Sequence, residues 1–128
     1  MNTTQRQYIA QWHDSFVNYI RELLSFIEFL VYLPQVTDED KRTFDKIKTL
    51  LHSKEAKEIE QSLAMGIVKQ DTLNKIEKLD KDLIDYAVDH MTAAPLAKEF
   101  LKKLTYCQIE KNKKDAISKL HELLIPIN

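Results

Sequence analysis

The chain has 128 residues, of which 44% are hydrophobic and 30% charged, with a formal net charge of −1. A chain of this length buries roughly 68% of its unfolded surface, enough for a core without disulfides or a structural metal, and its composition argues against a disordered protein. There is one glycine, Gly66, and no Asn-Gly, Asp-Gly or Gly-Gly pair, which argues against hairpin-rich sheets and glycine-rich nucleotide-binding turns.

One cysteine, Cys107, cannot close an internal disulfide, so a reducing compartment is expected. The N-terminus lacks the basic start and small-residue cleavage site of a signal peptide. The longest apolar stretch, residues 23–33, is broken by Ser25 and Glu28 and falls short of the ~20 residues that span a bilayer. The expectation is a soluble, cytoplasmic, single domain over residues 1–128 that meets no membrane.

The first helix is predicted from about Thr4 to Leu33. Tyr8 or Ile9, Trp12, Phe16, Ile20, Leu23, Ile27 and Leu30 recur at helical spacing, with Gln11, Asp14, Asn18, Arg21, Ser25 and Glu28 opposite. Pro34 ends it by disfavouring the helical conformation at Leu33. Thr37 is the expected cap of a second helix, followed by Asp38, Glu39 and Asp40 at the positive end of its dipole. That helix turns Phe44, Ile47 and Leu50 or Leu51 inward.

Ser53 is a cap for a short third helix carrying Ala56, Ile59 and Leu63; alternatively the second and third are one bent helix. Gly66 supplies a left-handed C-terminal residue. Asp71 is the expected cap of a fourth helix, with Leu73, Ile76, Leu83, Ala87 and Met91 inward. Thr92 is the expected cap of a fifth, with Pro95 in its first turn and Leu96, Phe100, Leu104 and Cys107 inward. The polar run from Glu110 to Asp115 leaves open whether residues 95–125 form one helix or two. Ala116 or Ile117, Leu120, Leu123 and Leu124 form the last inward set, ended by Pro126. The whole is an all-α, compact bundle of five to six helices, mostly antiparallel, with a long N-terminal helix.

No catalytic signature stands out. The histidines at 13, 52, 90 and 121 form no His-Glu-x-x-His or Glu-x-x-His motif, so neither a metal nor any other cofactor is expected. Asp82, Asp85, Asp89 and His90 cluster on the fourth helix, where a hard cation or an acid–base pair is conceivable. The simpler reading is a solvated charged face. Cys107 lies late in its helix, away from any activating base in sequence, and reads as structural.

Charge is unevenly spread. Residues 38–92 hold thirteen acids against ten bases, and residues 95–121 hold seven lysines against three acids. Lys98, Lys102, Lys103, Lys111, Lys113 and Lys114 therefore make a candidate contact for nucleic acid or an acidic partner. The stretch has no arginine for bidentate guanine contacts, which favours an ordinary solvated face.

The leading candidate is the end of the first helix. From Phe26 to Leu33 the wheel is apolar nearly all round. Either this helix is central to the bundle, or Phe26, Phe29 and Tyr32 meet a partner protein, which includes a second copy of the chain. Small cofactor-free bundles are similar in kind to bacterial immunity proteins, anti-defence inhibitors and phage-encoded modulators of host enzymes, an analogy at the level of fold alone. The expectation is a non-enzymatic protein-binding regulator or inhibitor. The alternative is a nucleic-acid-binding accessory protein that uses the lysines, and no small-molecule substrate is evident.

Overall fold

A computed structural model describes residues 1–92, 94–106 and 113–127. It contains α1 (Thr3–Leu30), α2 (Asp38–Leu51), α3 (Lys54–Ala64), α4 (Gln70–Asp89), α5 (Ala94–Tyr106) and α6 (Lys113–Glu122). No strand occurs among the described residues.

α1 starts earlier and stops sooner than its periodicity predicts. Asn2 caps it: its side chain accepts from the Gln5 amide, and the Gln5 side chain accepts from the Asn2 amide. This reciprocal box satisfies two amides that the first turn leaves open. The helix ends at Leu30, where the Tyr32 and Leu33 amides donate to carbonyls three residues back. Those bonds tighten the chain into a turn ahead of Pro34.

α2 begins at Thr37 as expected, with a capping box to Asp40. His52 and Ser53 separate it from α3, and the Ser53 hydroxyl accepts from the Ala56 amide. Two expected caps are corrected. α4 starts at Gln70 with Lys69 before it and no side-chain cap, while Asp71 sits in the first turn and pairs with Lys75 at 2.7 Å. α5 starts at Ala94, and Thr92 turns its amide and hydroxyl to Asp40 instead.

Residues 94–106 and 113–122 are helical as α5 and α6, and the stretch 107–112, on which one helix or two depends, lies outside the described residues. Leu124, predicted inward, is 82% exposed with φ +57°. The cause is the way α6 stops. The Ile125 amide donates to the Leu120 carbonyl and the Leu124 amide to that of His121, the Schellman pattern, which places Leu124 at the left-handed position. Ile125 enters the core in its place. α3 ends by the same pattern through Gly66, φ +70°.

The apolar faces close on one core. Trp12, Leu23 and Ile27 of α1 join Phe44 and Ile47 of α2, Ile59 and Leu63 of α3, Leu73 and Leu83 of α4, Phe100 of α5 and Leu120 of α6. α1 packs on α3 and α3 on α4, and α2, α5 and α6 each pack on α4 as well. Direction follows from cross-contacts. Lys75 of α4 reaches Glu58 of α3, and Lys78 and Asp82 lie beside Glu55, so these two helices are antiparallel. Gln5 of α1 donates to the Leu123 and Leu124 carbonyls, and Lys119 lies over the Tyr8 ring. The start of α1 therefore meets the end of α6, again antiparallel.

Candidate functional site

The end of α1 divides the aromatic residues that the sequence groups together. Ile27 and Leu30 are buried. Phe26 is half-buried against the core, with the Lys103 ammonium 5.9 Å from its ring centroid. Phe29 is 62% exposed and Tyr32 86% exposed. Helical geometry explains the split within α1, because Phe29 lies between Ile27 and Leu30 in sequence and points away from their stripe, while Tyr32 follows in the turn past the helix end. The neighbouring helices therefore do not cover α1 all round.

The chemistry beside the rings is mixed. Lys103 crosses from α5 to pair with Glu22 at 3.5 Å. A shallow open groove between these helices is lined by Arg21, Glu22, Ser25, Phe26 and Lys103. It presents an apolar ring with both signs of charge at its edge. Such a surface can bury an apolar side chain of a partner and orient it by charge.

The lysines do not form one free stripe. Lys98 and Lys102 stand exposed one turn apart on α5. Lys103 is engaged with α1. Lys113 donates to Asn74 at 2.8 Å and pairs with Glu77 at 3.3 Å, binding α6 to α4. Lys119 pairs with Glu122 at 3.6 Å. Lys114 is exposed. Lys111 and Cys107 lie outside the described residues.

On α4, Asp82, Asp85 and His90 line a shallow groove with Leu50 and Tyr86. Asp89 is exposed and not part of it. Asp82 is held by Lys78 at 3.0 Å, and the His90 and Tyr86 rings lie 5.3 Å apart. No group of three or more His, Cys, Asp or Glu residues placed to hold a metal ion occurs among the described residues. Nor is any described helix long and apolar enough to cross a membrane.

A third groove was not legible from the chain. It runs between α1 and α3, with Val17, Ile20 and Leu24 on its floor and Arg21, His52 and Lys57 along its edge. Its residues come from distant parts of the sequence, and no local pattern joins them. Helical periodicity alone places Arg21 on the polar stripe of α1 and leaves its neighbours unknown.

No protein-family profile, curated protein or solved structure matches this chain.

Proposed function

We propose that this chain is a non-enzymatic, protein-binding regulator or inhibitor that engages its partner through the end of α1. One observation carries the reading: two large rings, Phe29 and Tyr32, stand 62% and 86% exposed at the end of a 28-residue helix. Aromatic side chains bury much area with few rotors and serve as anchors in interfaces. Phe26, earlier on the same helix, is half-buried against the core, so the anchors rise from a packed element. The one cysteine suits a reducing, cytoplasmic setting.

The test compares the wild-type chain with Phe29→Ala/Tyr32→Ala. Affinity capture from native lysate and sedimentation of the purified chain are run on both. The expected result is a captured protein, or a self-associated species, that the double variant loses while its helical signal stays intact. Identical capture and sedimentation by both proteins overturns the reading.

A second reading, nucleic-acid binding, draws on Lys98 and Lys102, exposed one turn apart. It requires an affinity that falls steeply with salt and with Lys98→Glu/Lys102→Glu. Absence of binding to duplex and single-stranded probes at low salt removes it.

A further inference from the structure

We infer that the groove between α1 and α3 is a second docking site, separate from Phe29 and Tyr32, that takes an acidic amphipathic helix of a partner protein. Its floor is apolar: Val17, Ile20 and Leu24 are each half-buried at helical spacing along about two turns of α1. α3 and the end of α2 supply the other wall. The groove is thus a trough two turns long, the length over which a docked helix sets side chains one turn apart.

The charge at its edge selects the occupant. Arg21 on one side and Lys57 on the other are exposed, and neither has a hydrogen bond or ion pair with any described residue. His52, just past the end of α2, also lines the groove and is exposed, with no side-chain hydrogen bond or ion pair to any described residue. The facing acid, Glu60, is 4.0 Å from the His13 ring. Two permanent positive charges and an imidazole ring therefore border an apolar floor with one acid among them. Leucine-type side chains seat on that floor, while aspartate or glutamate on the flanks of the same helix meets Arg21 and Lys57. A nucleic-acid duplex meets the cations but leaves the floor unfilled, because its outer surface is phosphate and sugar.

The experiment is selection of random twelve-residue peptides displayed on phage against the immobilised full chain, followed by fluorescence anisotropy with the enriched peptides. The expected result is enrichment of peptides that combine Leu, Ile or Phe at three- and four-residue spacing with Asp or Glu. Their affinity falls about tenfold or more with Arg21→Glu/Lys57→Glu and weakens as salt rises. Phe29→Ala/Tyr32→Ala leaves it unchanged, and Lys57→Glu alone weakens it although Lys57, unlike Arg21, does not line the α1–α5 groove, so failure here is distinguishable from failure of the α1-end surface. Both charge-reversed positions are exposed, so the variant keeps its fold, checked by its melting curve. No enrichment, enrichment of peptides without acids, insensitivity to the charge reversal, or tighter binding of a single-stranded oligonucleotide than of any peptide overturns the inference.

Discussion

The carboxylate of Asp40 holds Thr92 twice: one oxygen accepts from the Thr92 amide at 2.8 Å and the other from its hydroxyl at 2.8 Å. Asp40 is fully buried. It is also the third residue of α2, where it accepts from the Thr37 amide and completes the capping box. One side chain thus closes the start of α2 and fastens to it the turn between α4 and α5. The Thr43 hydroxyl, one turn on, reaches the His90 carbonyl at 3.1 Å and secures the same junction.

Removing that carboxylate strands several donors. Asp40→Ala leaves the Thr92 and Thr37 amides without their acceptor and the Thr92 hydroxyl to the Thr37 hydroxyl, 3.2 Å away. A loss of about 3 kcal/mol is expected, combining the lost half of the capping box with part-buried hydrogen bonds to a charged group. Asp40→Asn keeps one acceptor oxygen, and its loss is expected at about half that. Urea denaturation of the three proteins gives the comparison.

The same group imposes an acid dependence. Burial pushes the Asp40 carboxyl up, but the hydrogen bonds from the backbone and hydroxyl of Thr92 and then those from Thr37 outweigh it, leaving the group below its ordinary 3.8. Folded Asp40 therefore gives up its charge at lower pH than unfolded Asp40. Its contribution is complete above 3.8 and disappears as pH falls through the folded value. The stability gap between wild type and Asp40→Asn should be flat at neutral pH and narrow only in strong acid. A gap that already narrows between about pH 7 and about pH 5 contradicts this assignment.

The two Schellman ends make opposite predictions. Leu124 occupies a left-handed conformation that costs a side-chain-bearing residue about 1–2 kcal/mol, and its exposed side chain gains little in return. Leu124→Gly should stabilise the protein by about 1 kcal/mol, and Leu124→Val should destabilise it. Gly66→Ala should destabilise by about 1 kcal/mol. An added Cβ there would lie 3.5 Å from the Met1 side chain, an ordinary contact, so the cost is conformational rather than steric. Thermal melts of the three variants decide the signs.

Two phenylalanines separate surface from core. Phe44 is wholly buried, so Phe44→Ala should cost about 3–5 kcal/mol. Phe29→Ala should cost less than about 1 kcal/mol, because the ring is mostly in water already. If both variants lose comparable stability in urea, Phe29 is a packing residue and the proposed anchor is lost.

Periodicity and capping chemistry were local, and so the chain alone announced them. The stripe of Trp12, Phe16, Leu23, Ile27 and Leu30, the Thr37 and Ser53 caps and the Gly66 stop all follow from spacings and contacts within five residues along the chain. Other features depended on what lay across the bundle. Thr92 looks like a helix cap until Asp40 takes its amide and hydroxyl. Leu124 fits the inward stripe of α6 until that helix stops two residues earlier and Ile125 fills the core. The α1 wheel could not say which of Phe26, Phe29 and Tyr32 would be covered, because coverage depends on where α5 lies. The α1–α3 groove existed in no local pattern at all. Local backbone physics selects helices and their ends, whereas exposure, charge pairing and grooves are properties of two surfaces that meet only after folding.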